Sequence, residues 1–275
     1  SAPQRLDDNL FVPLLAALVL LCMLETNGSW QTLWRPPFVH NLTVGLVVNV
    51  ALVVAARLLA TLNGIGAAVA CLLGTMVFVF LSWQGYAVLL TFFVLGSWST
   101  RMGYDRKKKV RLAQGRGGRR GAANVLANGS VAAACALWFG TTPHGSLFVA
   151  AFACSLAAAA ADTAESEIGQ VWGRPTLLIT TWRQVRPGVD GGISVIGTAA
   201  GLLAAALTSA VGSAVGLFPA IYLIPLSLLA VTATLLESVV GATLERSRLI
   251  GNGGANLFNT LAGALLAAGW VWIVA

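Results

Sequence analysis

Charge is what this chain has least of. Only 10% of its 275 residues are Asp, Glu, Lys or Arg, while 57% are hydrophobic and the mean hydropathy is +0.80. A soluble domain of this length cannot hide that much apolar surface, so the composition points to a polytopic membrane protein. Histidine is rarer still: His40 and His144 are the only two. No Ser/His/Asp or Cys/His arrangement is visible, which removes the usual base-activated nucleophiles. The four cysteines, Cys22, Cys71, Cys135 and Cys154, lie inside apolar runs without a Cys or His at ligand spacing. They read as small apolar residues in packed helices rather than as disulfides or metal ligands. Alternating hydrophobicity is missing as well, which argues against a β-barrel. P-loop and protein-kinase signatures are absent. No aromatic residues interleave with the basic ones, which argues against nucleic-acid binding. The first apolar stretch is better read as a span than as a cleaved signal peptide.

What remains is an all-α transmembrane bundle. Using the length a bilayer requires, about nine spans are expected, near 8–25, 42–61, 64–82, 85–101, 122–140, 145–162, 193–214, 217–236 and 256–274. Nine Lys/Arg and one Asp lie between Arg101 and Arg120, more charge than the whole chain's net +7, so the rest is close to neutral. The positive-inside rule makes that loop cytoplasmic and, by counting, the amino terminus too. The 62–64, 163–192 and 237–255 connections then fall on the same face. Residues 26–41, with Trp30, Trp34 and Arg35, read as an outer interfacial belt. Residues 1–41 carry a span and this belt but no motif; residues 42–275 form the expected catalytic domain.

Three polar segments interrupt the apolar pattern on the cytoplasmic side. After the apolar run 147–161 come Asp162, Glu165 and Glu167. Ionisable groups at such a depth are costly and usually functional. On a helix, Asp162 and Glu165 share a face while Glu167 points elsewhere. Two carboxylates at a water boundary suit a hard cation such as Mg²⁺ shared with substrate phosphates. The second segment holds Thr180, Thr181, Arg183, Arg186, Gly188, Gly191, Gly192 and Ser194. Glycines that turn N–H groups toward an anion, forked Arg donors and a helix amino terminus together suit phosphate; a flexible loop is the plain alternative. The third segment holds Glu237, which ends an apolar run as Asp162 does, and Asn256 and Asn259 on one helix face; Asn256 could equally be a cap. Within the basic loop, Lys107 to Lys109 suit anionic lipid headgroups. Arg119, among glycines, and Asn128 on the next span are candidates for a phosphate.

Seven motifs in order carry a family resemblance: Gly117-Gly118-Arg119-Arg120, Val125 to Gly129, Asp162 to Gly169, Leu178 to Thr181, Gly191 to Gly197, Glu237 to Thr243, and Asn256 to Asn259. From about Arg57 onward the chain resembles the membrane family that includes plant phytyl-phosphate kinase, distantly related to phytol and dolichol kinases and CDP-diacylglycerol synthases. The resemblance implies a CTP-dependent kinase that converts a prenyl monophosphate, phytyl or geranylgeranyl, to the diphosphate and releases CDP. It implies a bacterial inner or photosynthetic membrane, and a lipid and a nucleotide as partners; a homo-oligomer stays open. Where the distant relatives place a Lys, this chain has Arg183 and Arg186.

On this reading Asp162, Glu165 and Arg183 carry the chemistry, and Asp162, Glu165 and Glu237 hold Mg²⁺. Thr180, Thr181, Arg186, Gly188, Gly191, Gly192 and Ser194 bind the nucleotide. Arg119, Asn128, Asn256 and Asn259 take the acceptor phosphate. The acceptor is already an oxygen anion near neutral pH, so positioning and charge stabilisation can do most of the work. Two alternatives stay open: a kinase of a free prenyl alcohol such as phytol, with Asp162 as base, and a transporter or flippase of a prenyl-phosphate lipid. Clustering of the polar breaks on one face disfavours transport, whose sites lie near the midplane.

Overall fold

Alanine dominates the stretch from Ala150 to Ala161, and alanine is both the best helix former and the smallest side chain with a Cβ. The result is a long helix that neighbours can approach closely on every side. The computed structural model describes residues 36–104 and 120–274, and in it this helix, Gly145–Trp172, is the axis of the bundle. In chain order the helices are α1 (Pro36–Leu58), α2 (Gly64–Arg101), α3 (Ala122–Thr141), α4 (Gly145–Trp172), α5 (Val195–Ala214), α6 (Leu223–Val240) and α7 (Asn252–Val274). A π-helical turn, Gly241–Glu245, extends α6. Helix α4 packs against α2, α3, α5, α6 and α7, and its residues from Val149 to Ala161 are all buried.

Close packing without a water-driven core depends on small residues at the contacts. Gly197 and Gly201 of α5 lie on α4: a Cβ on Gly197 would sit 2.9 Å from the Glu165 carbonyl oxygen, and one on Gly201 3.1 Å from that of Ala161. Gly263 of α7 meets Ala158 and Cys154 in the same way, at 3.0 and 3.1 Å. Asn259 Nδ2 donates to the Ala158 carbonyl at 3.0 Å, and Thr260 Oγ1 to that of Ala127 at 3.1 Å, so α7 is clasped to α4 and α3.

Among the described residues, seven helices are long and apolar enough to cross a membrane. The first expected span, 8–25, lies outside the described residues. The spans expected at 64–82 and 85–101 are the two arms of α2, separated at Ser82, whose backbone (φ 53, ψ −157) is not helical. The chain doubles back there. A Cβ on Gly66 would meet the Arg120 carbonyl and one on Gly96 the Arg120 guanidinium, so the two ends of α2 lie together. Each arm is thus roughly 27 Å long at 1.5 Å per residue. The expected span 145–162 continues ten residues further, so the acids sit within the helix and not at its end.

The expectation of an all-α chain needs one correction. Residues 176–193 form a small antiparallel sheet of β1 (Thr176–Leu178), β2 (Gln184–Val185) and β3 (Gly192–Ile193), in the order β2-β1-β3. Strands this short leave no periodic signal. The sheet sits between α4 and α5 in the chain and holds the Gly-rich segment in place.

The glycine contacts predict a stability difference. Gly263→Leu, which must push α7 off Cys154 and Ala158, should cost about 1–3 kcal/mol. Gly269→Leu, where nothing lies within 4 Å, should cost little. Thermal unfolding of the two variants in detergent checks this.

Candidate active site

Every Asp and Glu among the described residues lines one polar cavity of about 350 Å³. Asp162, Glu165 and Glu167 come from α4, Asp190 from the turn before β3, Glu237 from α6 and Glu245 from the π turn. Asp162, Glu165, Glu245 and Asp190 all lie within electrostatic range of Glu237. Glu165 accepts a hydrogen bond of 2.8 Å from Thr198 Oγ1, and the Ser166 hydroxyl reaches Asp162 Oδ1 at 3.5 Å. Glu167 does not point away as expected. The cavity wraps more than half of the α4 circumference, and Glu167 is 4% exposed on the side toward Arg120.

The Gly-rich segment forms the cavity's opposite wall through Pro187 to Gly192 and Ser194. Gly188 and Gly191 have positive φ, 85 and 75. Gly191 also passes close to the π turn: a Cβ there would lie 2.4 Å from that of Ala242 and 2.6 Å from the Ser238 carbonyl. This backbone contact brings Asp190 beside Glu237. Ser194 caps α5, accepting from Gly197 N–H at 3.1 Å. Asn252 and Asn256, at the start of α7, complete the wall.

Among the described lining residues the single cation is Arg120, the neighbour of the expected Arg119. Arg120 is held by its backbone: its N–H donates to the Thr61 carbonyl at 2.9 Å, and its carbonyl accepts from Asn63 at 3.1 Å. Its guanidinium lies over the Phe92 ring, 5.6 Å from the centroid, in space kept open by Gly96. Burial lowers its pKa from the usual arginine value, and the charges of Glu167 and Asp162 pull it back up.

Arg120 and Asn124 also line a second cavity, of about 420 Å³ and almost wholly apolar, between α1, the two arms of α2, and α3. Asn128 lines this apolar cavity and not the polar one; its Nδ2 donates to the Asn124 carbonyl at 2.9 Å, and its buried Oδ1 has no partner. A polar, acid-lined space and an apolar groove therefore meet at one arginine.

Several expected site residues lie elsewhere. Thr180, Thr181 and Arg183 occupy the exposed tip of the β1–β2 hairpin, outside the cavity lining, because strand pairing turns this stretch outward. Arg186 is exposed and also outside the lining, next to Pro187. Asn259 is fully buried between helices. Arg119 and Lys107 to Lys109 lie outside the described residues. No three His, Cys, Asp or Glu side chains among the described residues converge into a ready-made metal cage. Asp162, Glu165 and Glu237 face one space instead, the donor set Mg²⁺ favours when one or two carboxylates and substrate phosphates share it.

Comparison with known proteins agrees with this architecture. The chain is 35% identical over 250 residues to the uncharacterized membrane protein sll0875 of Synechocystis, covering 88% of this chain and 96% of that one. It is 32% identical over 243 residues to Protein VTE6, chloroplastic, of Arabidopsis thaliana, covering 85% and 71%. It is 30% identical over 201 residues to the uncharacterized membrane protein MJ0933 of Methanocaldococcus jannaschii, covering 71% and 79%. No solved structure matches it. Residues 47–271 match the family described as Integral membrane protein DUF92, and the chain is a member of that family of integral membrane proteins.

Proposed function

We propose that the protein transfers the γ-phosphoryl group of CTP to a prenyl monophosphate at the polar cavity, giving the prenyl diphosphate and CDP. The observation that carries this reading is the meeting of the polar and apolar cavities at Arg120 and Asn124. A lipid phosphate has the same two-part chemistry: an anionic head that needs a forked cation and a tail that needs an apolar groove. The motif resemblance supplies the phytyl or geranylgeranyl identity.

In the transfer, an oxygen of the acceptor monophosphate forms a bond to the γ-phosphorus. The bond from that phosphorus to the bridging oxygen breaks, and CDP leaves with the electron pair. The acceptor oxygen is already anionic, so no general base is required and the missing histidine is no obstacle. Arg120 orients the acceptor phosphate with two parallel donors. The 188–192 backbone and Ser194 at the start of α5 bind the triphosphate. Asp162, Glu165 and Glu237 would hold Mg²⁺, which when bound supplies charge neutralisation to the phosphates. Thr198 fixes the Glu165 carboxylate. The site opens on the cytoplasmic face by the positive-inside rule.

Two outcomes test the assignment. With CTP labelled at the γ-phosphate and phytyl monophosphate in detergent, Asp162→Asn should lower turnover on the order of 10²-fold, the scale for removing one preorganised electrostatic group. An inactive wild type, or Asp162→Asn at full activity, overturns the reading; labelling of free phytol instead would favour the alcohol kinase. Arg120→Met should weaken the acceptor's kcat/KM about 10–100-fold, the range for losing a charged hydrogen bond. Gly96→Leu, which displaces the guanidinium without removing it, should raise KM for the lipid more than for CTP.

A further inference from the structure

The apolar groove has a closed end. Along α1 its lining stops at Asn49, along the first arm of α2 at Gly74, and along α3 at Gly129; along the second arm it begins at Tyr86. All four elements thus end at one depth. Asn49 fills that depth. It is 3% exposed, its Oδ1 accepts a 2.8 Å hydrogen bond from the Tyr86 hydroxyl, and its Nδ2 donates to the Gly45 carbonyl at 2.8 Å. Gly74 leaves room for it: a Cβ there would be 2.1 Å from Asn49 Oδ1. Behind Tyr86 stands Phe78, edge-on at 5.6 Å between ring centroids.

Arg120 is level with Gly66 and Gly96, and the groove is measured inward from it; on the other side its lining continues to Trp98 and Arg101. Eight residues separate Gly66 from Gly74 and ten separate Gly96 from Tyr86, so the groove is roughly 12–15 Å deep at 1.5 Å per residue. An extended isoprene unit spans roughly 5 Å, given carbon–carbon bonds near 1.5 Å. The depth matches about three extended units, and a four-unit tail, about 20 Å when extended, reaches the polar pair by bending within the groove.

A satisfied Asn–Tyr pair inside a membrane helix bundle is a costly way to pack a wall. As a floor it has a use. Because both partners are hydrogen-bonded, neither gives way easily, and a tail that arrives there meets polar atoms rather than lipid-like space. We propose that the Asn49–Tyr86 pair is the floor of the tail groove and sets the longest prenyl chain the protein holds with its phosphate on Arg120. The proposal rests on the reading that a lipid phosphate is the acceptor, but not on the transfer itself. Leu52, Leu59, Val94 and Trp98 line the same groove and remain exposed, which gives a tail an entrance from the bilayer side.

The test is equilibrium binding of geranyl, farnesyl, geranylgeranyl and undecaprenyl monophosphates to the full chain in detergent, without nucleotide. Wild type should bind the first three and lose about tenfold or more on undecaprenyl, the scale for forcing extra methylenes into a filled space. Tyr86→Ala, which opens the floor as far as Phe78, should recover undecaprenyl binding, while Tyr86→Phe should keep the wild-type limit. Ala70→Phe, midway along the groove between Gly66 and Gly74, should move the limit down so that geranylgeranyl is lost and geranyl kept. Each variant is judged by its ratio between tail lengths, so a reduced folded fraction does not mimic the effect. Equal binding of all lengths would mean tails turn out through the side opening and would overturn the proposal, as would a limit unmoved in both Tyr86→Ala and Ala70→Phe. Length-limited binding without CTP turnover leaves the groove assignment standing and removes the kinase reading. Turnover without a length limit does the reverse.

Discussion

Carboxylates gathered in one place inside a membrane bundle are the constraint on which the other features depend. Each ionised acid taken from water into a low-dielectric interior costs several kcal/mol unless something faces it. In the described residues all six acids share the one cavity, so the surrounding elements are shaped to face them. Thr198 bonds Glu165, Arg120 opposes Glu167 and Asp162, and the small sheet folds Gly188 to Gly192 over the opening. The alanine run of α4 makes this possible. With no side chain beyond Cβ from Ala157 to Ala161, α5 and α7 come close enough through Gly201 and Gly263 to fix where the next turn of α4 points its acids.

Arg120 joins that charged half to the apolar one. Its position is set by backbone bonds to Thr61 and Asn63, at the turn between α1 and α2, and not by its side chain. The α1–α2 unit, which carries no acid among the described residues, therefore shapes the site through one residue. Movement of the α2 hairpin would shift both the groove wall and the guanidinium. A lipid phosphate bound across the junction would in turn hold the two halves of the bundle together.

The spans from residue 42 onward and the acids that interrupt them were legible, because hydropathy and the cost of intramembrane charge are local properties of the chain; the expected span 8–25 lies outside the described residues. Asp162, Glu165 and Glu237 stood out for that reason; Gly188, Gly191, Gly192, Ser194 and Asn256, which line the same cavity, stood out as glycines, a helix start and an amide suited to an anion. What was not legible depended on distant contacts. The place of Arg120 rests on its bridge to Leu62 and the space left by Gly96, while Arg119 lies outside the described residues. A glycine facing an arginine across two helices leaves no mark on either segment. Helical phase separated Glu167 from Asp162 correctly as an angle, but the width of the cavity around α4 is tertiary. Thr180, Thr181 and Arg183 looked like phosphate ligands by residue type, and a strand of three residues gave no warning that they sit on a hairpin tip. The break at Ser82 was legible as a polar connection between two apolar spans, and the structure turns the chain back there.

The charge balance of the cavity bears on what can enter it. Among the described lining residues six carboxylates face one arginine, and the seven Lys and Arg of residues 106–119, just before that arginine in the chain, lie outside the described residues. Two polyanions do not share such a space with ionised acids unless cations come with them or some acids are protonated. The Gly188–Gly192 backbone and the α5 amino terminus contribute partial positive charge, worth fractions of a full charge each. On the proposed function, a divalent cation carried on the nucleotide would use the acids as ligands, so the repulsive feature would become the binding one. An uncharged substrate would require none of this. The arrangement suits the proposed transfer between phosphates better than a transporter or flippase of a prenyl-phosphate lipid, whose polar groups would lie near the midplane.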